Sequence, residues 1–206
     1  MIEFTVLPYG DCAVLLELAE PAQVLPLRDG LLARQDPAIR AVLPAARTVL
    51  VEFDPDRADP DRIAAVAGEC ALDQTSDRPA TDPVQLPVRY AGADLTGVAE
   101  HCGLSVPELV ELHSECEYTV QFCGFSPGFG YLTGLDDRLR VPRLATPRTQ
   151  VPAGSVAIAD AYTGVYPRSS PGGWRLLGQT SATLFDLDRH PPALLTPGAR
   201  VRFVPQ

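Results

Sequence analysis

The chain has 206 residues, of which 46% are hydrophobic, and a formal net charge of -9. All 17 basic residues are arginine, so a Schiff-base lysine, a phosphate-loop lysine and a lysine general base are excluded. The acidic balance argues against nucleic acid as a main partner, and the apolar runs are too short to span a membrane.

The cysteines and the first residues of the chain indicate the cellular compartment in which the protein is expected. Five widely spaced cysteines contain no CxxC pair, which favours reduced, mostly buried thiols and gives no zinc motif. The opening sequence MIEFTVLPYGD lacks the basic region and the apolar core of a signal peptide. We therefore expect a cytoplasmic globular protein without a membrane anchor.

The first 70 residues combine strand and helix patterns. Three segments alternate like strands: 2–7, 13–18 and 47–53. The turn Tyr9-Gly10-Asp11 joins the first two into a predicted hairpin, and residues 21–34 carry apolar side chains at helical spacing. Asp59 and Pro60 open a second helix as its cap and first-turn proline. This order predicts a small α/β sandwich.

The second part of the chain follows a polar stretch at residues 73–83, which is typical of a linker. We therefore expect two domains, at residues 1–78 and 79–206. Two helices are predicted, one over 94–102 capped by Asp94 and one that begins after Ser105. Strands or short apolar runs follow the linker: 84–90, 117–123, 139–141, 155–159, 162–166, 174–177, 182–187 and 199–204. Many short strands separated by glycine and proline predict a closed β-barrel.

Charge and glycine concentrate in one part of this barrel. The window 118–182 holds nine of the 16 glycines and has a net charge of +3, which leaves -12 for the rest of the chain. Glycine lets backbone N–H groups approach a ligand, and arginine binds carboxylate through two parallel hydrogen bonds. The window is a candidate anion site, although tight turns and solvated arginines give the same composition.

Four segments of the window carry most of its unusual residues. They are GFSPGFGYL at 124–132, two Pro-Arg pairs at 142–143 and 147–148, VPAGSVAI at 151–158, and the stretch from TGVYP at 163–167 to GGW at 172–174. The first predicts an aromatic-walled loop. The Gly172-Gly173 pair predicts a bulge or a close backbone approach.

These motifs, in this order, resemble the bacterial family of the 5-oxoprolinase B subunit. That family is also called allophanate hydrolase subunit 1 or the sporulation-kinase inhibitor KipI family, and it is similar to the first half of the carboxyltransferase domain of urea carboxylase. The resemblance covers nearly the whole chain. It differs at Asp160 and Gln179, where the family commonly has glycine and arginine.

The resemblance implies an α+β protein with a small α/β sandwich domain followed by a cyclophilin-like β-barrel. It implies ATP-dependent opening of 5-oxoproline to glutamate by a hydrolase complex. The expected partners are a paralogous barrel subunit, which is the 5-oxoprolinase C subunit or allophanate hydrolase subunit 2, and a separate 5-oxoprolinase A subunit. ATP would be bound by the assembled complex, and no metal site is expected on this chain.

Two single residues are candidates for chemistry. His113 is a candidate general acid or base, with a capping or packed histidine as the alternative. Arg148 is the preferred contact for a substrate carboxylate or phosphate. We expect a small carboxylate-bearing substrate to be bound by eleven residues: Phe125, Pro127, Gly128, Phe129, Arg143, Arg148, Ser155, Tyr166, Ser170, Gly172 and Gly173.

Three functions remain open at this point. The chain is expected to be half of an intersubunit active site in an ATP-dependent 5-oxoprolinase. The alternatives are an inhibitor of a sensor histidine kinase and a component of an allophanate- or urea-type amidohydrolase or carboxylase. An enzyme component needs a basic, aromatic-lined cleft, whereas an inhibitor needs only an exposed apolar patch.

Overall fold

The computed structural model describes residues 3–70 and 82–206. The chain forms two compact units, residues 1–80 and residues 81–206. The expected linker at 73–83 lies outside the described residues except for its last two positions, and the expected boundary after residue 78 stays a prediction.

Over its described residues, 3–70, unit 1 is a four-stranded antiparallel sheet with two α-helices. Its elements are β1 (Phe4–Pro8), β2 (Ala13–Leu18), α1 (Val24–Ala33), β3 (Ile39–Pro44), β4 (Thr48–Phe53) and α2 (Pro60–Gly68). The strand order is β1-β2-β4-β3, and β1 pairs with β2 in the predicted hairpin. Alternate residues of β2 and β4, among them Leu16 and Val51, are fully buried in one core with α1 and α2. The predicted sandwich is confirmed, and β3 is an additional strand.

Unit 2 is built mainly of short strands. Its elements are β5 (Val84–Val88), α3 (Leu95–Cys102), α4 (Val106–Glu115), β6 (Tyr118–Cys123), β7 (Gly130–Thr133), β8 (Arg148–Val151), β9 (Ser155–Ala159), β10 (Tyr162–Val165), β11 (Ser170–Gly172), β12 (Arg175–Gln179) and β13 (Arg200–Pro205). Seven strands form one sheet in the order β12-β9-β10-β7-β6-β13-β5. A bridge between Arg89 and Gln179 joins its two edges, so the sheet is a nearly closed barrel. Strands β8 and β11 form a separate ribbon.

Local sequence signals set the helix starts. The Asp59 side chain accepts a hydrogen bond from the Arg62 N–H, with Pro60 in the first turn of α2. Ser105 and Glu108 form a reciprocal capping box at the start of α4. Asp94 occupies the position before α3, but its side chain makes no cap hydrogen bond. Asp94 is therefore the N-cap residue, as expected, but its side chain does not cap the helix.

Other sequence predictions also differ from the structure. Residues 139–141 are not a strand, because a single 3-10 turn ends at Leu139 and irregular backbone follows. Residues 182–187 form only an isolated bridge at Phe185. Only Cys70 of the five cysteines is buried, and Cys12 and Cys123 are exposed, so the expectation of mostly buried thiols is wrong.

Candidate functional site

An aromatic-walled cleft opens on unit 2 where the glycine-rich window folds. Its volume is about 260 Å³. Nine residues line it: Phe125, Phe129, Tyr131, Arg143, Pro147, Tyr166, Pro171, Gly172 and Trp174. We call this set the aromatic cleft. Five of the residues expected from the sequence to bind substrate meet here: Phe125, Phe129, Arg143, Tyr166 and Gly172.

The walls of the aromatic cleft are held by edge-to-face ring contacts. The Phe129 ring lies 5.3 Å from Tyr166 and 5.4 Å from Trp174, and the ring planes cross at 80° and 86°. Tyr131 contacts Trp174 at 5.5 Å in the same manner. Such T-shaped pairs are favourable because the positive edge of one ring meets the negative face of the next. The walls are therefore interlocked rather than independent.

Phe125 differs from the other rings because it is exposed. Its side chain is 58% accessible, and its backbone is left-handed with φ of 65°. Large residues rarely adopt this conformation, and backbone strain of this kind concentrates at functional sites. The turn is supported by Gly128, where an added Cβ would lie 2.7 Å from Phe185. The loop thus holds an aromatic ring at the cleft mouth in a strained backbone conformation.

Gly172 lets the chain pass close to the Tyr166 ring. A Cβ at Gly172 would collide with the Tyr166 hydroxyl, and the β8–β11 register shifts between Ser170 and Gly172. The predicted bulge or close approach is confirmed at this position. A side chain here would displace the phenol that lines the cleft.

Arg143 supplies the cleft with a positive charge. It is exposed, and no carboxylate within residues 3–70 and 82–206 pairs with it. Burial raises the pKa of Tyr131 and of Tyr166, and the guanidinium of Arg143 opposes the rise at both phenols. The cation therefore lies near both rings and has no competing acidic partner in the described parts of the chain.

Arg148 is placed differently. Its Nη2 lies 2.8 Å from Asp94 Oδ1 in an ion pair, and its Nη1 donates to the Trp174 carbonyl at 3.5 Å. Together with Ser155 it lines a neighbouring groove of about 300 Å³ rather than the aromatic cleft. Its charge is already compensated, so the geometry favours Arg143 over Arg148 as the anion contact.

The remaining residues expected to bind substrate surround the cleft. Pro127 is exposed, and Gly128 is buried within the turn after Phe125. Gly173 lies beside Arg143, whose Nη2 would be 3.6 Å from an added Cβ. The Ser170 hydroxyl is buried and meets no hydrogen-bond partner in the part of the chain that the structure describes.

His113 is buried in unit 2 and does not line the aromatic cleft. It is 0% exposed, its Nδ1 is 2.7 Å from the Tyr90 hydroxyl, and its Nε2 is 3.0 Å from Thr163 Oγ1. The Thr163 hydroxyl donates to the Ala157 carbonyl, so it accepts from His113 Nε2–H, and Nδ1 accepts from Tyr90. We call His113, Tyr90, Thr163, Tyr118 and Phe203 the His113 cluster.

The electrostatics of the His113 cluster favour a packed histidine. Burial lowers the pKa of His113 to about 3, so the ring is neutral at physiological pH. Both ring nitrogens are occupied by neighbours within the barrel, and the side chain has no accessible surface. This is the alternative that the sequence left open; the catalytic role of His113 remains an untested prediction.

Sequence reasoning missed four residues that line the cleft, and it missed Asp94 in the surroundings. The four lie within the motifs but are not among the residues expected to bind substrate: Tyr131, Pro147, Pro171 and Trp174. Asp94 was missed because its partner Arg148 is 54 positions away, and only the folded chain brings the two together. A carboxylate at an apparent cap position gives no sequence signal of such a pairing.

The described residues, 3–70 and 82–206, contain no group of three or more His, Cys, Asp or Glu placed to hold a metal ion. None of their helices is both long enough and apolar enough to cross a membrane.

Sequence comparison identifies relatives along nearly the whole chain. The family model described as carboxyltransferase domain, subdomain C and D, matches residues 4–195. The 5-oxoprolinase B subunit of Escherichia coli O157:H7 is 44% identical over an alignment of 208 residues that covers 96% of this chain and 94% of the relative. The protein of the same name from Bacillus subtilis (strain 168) is 47% identical over 124 residues, or 59% of this chain and 52% of the relative.

Solved structures share the fold. TTHA0988 superimposes with a TM-score of 0.81 at 36% identity, covering 95% of this chain and 40% of TTHA0988. This chain therefore spans about 40% of the length of that protein. The Kluyveromyces lactis urea carboxylase gives a TM-score of 0.71 at 21% identity, covering 100% of this chain and 22% of the enzyme. At that identity the similarity shows the fold alone.

Proposed function

This chain belongs to the family of the 5-oxoprolinase B subunit, with carboxyltransferase subdomains C and D, and we propose that it is one component of an ATP-dependent 5-oxoprolinase. The complex would open 5-oxoproline to glutamate. This chain would contribute half of an active site whose other half comes from the paralogous C subunit, and a separate A subunit would complete the complex. We place the complex in the cytoplasm, where ATP is available.

The observation that carries the proposal is that Arg143 lines the aromatic cleft, beside its aromatic walls. The substrate is a small five-membered ring with one carboxylate, and the cleft offers apolar walls next to an arginine without an acidic partner among the described residues. Arginine binds a carboxylate through two parallel, charge-assisted hydrogen bonds. The aromatic faces exclude water from the ring and strengthen this contact.

In this proposal the chain binds and orients the substrate. Arg143 holds the carboxylate, and Phe129, Tyr166 and Trp174 contact the faces of the ring. Phe125 lies at the mouth, where a partner subunit or the bound ligand would cover its exposed surface. ATP is assigned to the assembled complex because this chain has no lysine and no phosphate-binding loop.

The test is reconstitution with the A and C subunits, followed by measurement of ATP-dependent glutamate formation from 5-oxoproline. Arg143→Ala is expected to lower kcat/KM by about 10- to 100-fold, the value of a charge-assisted hydrogen bond. Arg202→Ala is the matched control, because it removes an exposed arginine from β13 that contacts Glu117 and not the cleft. A fully assembled complex that forms no glutamate would refute the proposed function.

A further inference from the structure

The backbone that carries Trp174 is held at three points. Gly172 pairs with Arg148 across the β8–β11 ribbon, and the Trp174 carbonyl accepts a hydrogen bond from the Arg148 guanidinium at 3.5 Å. Two residues further, the Leu176 N–H donates to Asp94 Oδ2 at 2.7 Å. Residues 172–176 are therefore fixed on both sides of the tryptophan that forms one wall of the aromatic cleft.

Asp94 links these contacts. Its second oxygen, Oδ1, accepts from Arg148 Nη2 at 2.8 Å, and its own N–H donates to the Leu176 carbonyl at 3.0 Å. The Asp94 side chain is only 11% exposed, and it makes no hydrogen bond to its own helix. Both oxygens of the Asp94 carboxylate therefore accept hydrogen bonds from other segments, one from Arg148 and one from β12.

The Asp94–Arg148 ion pair differs from another ion pair of unit 2, between Glu117 and Arg200. Glu117 binds Arg200 through two hydrogen bonds of 2.6 Å, but both side chains are about one third exposed and both partners are side chains. Exposed pairs of this kind contribute little to stability and constrain little. The Asp94–Arg148 pair differs because each partner also holds a backbone group next to the cleft wall.

We propose that Asp94 is a positioning residue that fixes the Trp174 wall of the aromatic cleft, through Arg148 on one side and the Leu176 N–H on the other. Loss of the Asp94 contacts lets residues 172–176 move, so the Trp174 wall is no longer held in place and the cleft binds its ligand more weakly. The effect on the ligand rests on the proposed function. The effect on Trp174 does not, because it is a property of the isolated chain.

Trp174 is the only tryptophan of the chain, so its fluorescence reports on this wall directly. It is 7% exposed, and acrylamide is expected to quench it weakly in the parent protein. Asp94→Asn keeps an oxygen for the Leu176 N–H but removes the charge that holds Arg148. We expect at least about twofold stronger quenching and lower fluorescence anisotropy, with an unchanged far-UV circular dichroism spectrum.

The control variant is Glu117→Gln, which removes the charge that pairs with Arg200 and Arg202 and is expected to leave the Trp174 signal unchanged. In the reconstituted complex, Asp94→Asn is expected to raise KM for 5-oxoproline about tenfold with kcat altered less than about threefold, the pattern of lost binding. Asp94→Glu restores the charge and is expected to recover part of the affinity.

Parental quenching, anisotropy and KM in a folded Asp94→Asn protein would overturn the proposal. If Asp94→Asn does not fold, Arg148→Lys decides, because lysine keeps the charge but lacks the planar fork that reaches both Asp94 and the Trp174 carbonyl. Stronger Trp174 quenching in that variant supports the positioning role of Asp94, and parental quenching refutes it. If the parent complex has no activity, the proposed function fails while the fluorescence result still decides the role of Asp94.

Discussion

Unit 2 contains two groups of aromatic residues that have opposite properties. In the His113 cluster every named polar atom has a partner inside the barrel, and His113 itself has no accessible surface. In the aromatic cleft one ring is exposed on a strained backbone, and Arg143 has no acidic partner among the described residues. Similar residue types thus make a closed core in one place and an open site in the other.

The difference shows that residue type alone does not mark a site. A histidine among tyrosines resembles a catalytic centre in sequence, but here its hydrogen bonds are satisfied internally and its charge is suppressed by burial. The cleft keeps the Arg143 guanidinium at its surface without an acidic partner among the described residues, and a ligand can use this charge. The predictions below test this contrast, and the largest expected effect comes first.

Replacing His113 by alanine is expected to lower the free energy of unfolding of unit 2 by about 3–5 kcal/mol. The change leaves a cavity, and the hydroxyls of Tyr90 and Thr163 each lose their hydrogen bond to the imidazole ring. Urea denaturation followed by circular dichroism measures the loss, and His101→Ala, at an exposed position on α3, is the control. A folded variant with parental stability and no turnover would instead make His113 catalytic.

The pH dependence of stability is a second test of the His113 cluster. The folded pKa of about 3 lies below the unfolded value of about 6.5, so the unfolded chain binds one more proton between these values. The contribution of the neutral His113 to the free energy of unfolding is complete above pH 6.5 and is lost as the pH falls towards 3. About 2 kcal/mol of the free energy of unfolding is lost by pH 5.

His113→Gln removes this proton, because glutamine is neutral at both pH values. Urea denaturation at pH 7 and at pH 5 is expected to show that the free energy of unfolding falls less for His113→Gln than for the parent protein. The carboxylates contribute equally to both proteins, so the difference between them isolates the histidine. Equal losses would mean that His113 is protonated in the folded protein at pH 5.

The smallest effect on stability is expected at the cleft. Phe125→Gly relieves the left-handed backbone but increases the freedom of the unfolded chain, so the free energy of unfolding should change by no more than about 1 kcal/mol. KM for 5-oxoproline is expected to rise because the ring at the mouth is removed. A loss of more than about 2 kcal/mol would show that Phe125 belongs to the core.

Elements with local signals were predictable from the sequence. The α2 and α4 helices begin at residues whose side chains or rings act within one turn, such as Asp59 and Ser105. Strands β3, β7, β8 and β11 were not predicted. β3 carries a bulge between Ile39 and Ala41 that breaks its alternation, and the other three are too short to show a pattern and depend on pairing with other strands.

The candidate site was predictable in outline but not in its charges. The motif residues Phe125, Phe129 and Tyr166 meet in one cleft because each is placed by a nearby turn. The sequence preferred Arg148, although both arginines follow a proline in the same segment and no local signal separates them. The geometry favours Arg143 because Asp94 pairs with Arg148, and this pair forms only after the barrel has closed.

The parallel pairing of β5 with β13 has a consequence for folding kinetics. Val84 faces Val201 across the greatest sequence separation of any strand pair in the described part of unit 2, whereas unit 1 is built largely from neighbouring hairpins. Folding slows as contacts become less local, because a longer loop must be closed before the pairing is gained. Unit 1 is therefore expected to reach its native register first, and the barrel to complete only when β13 inserts between β6 and β5.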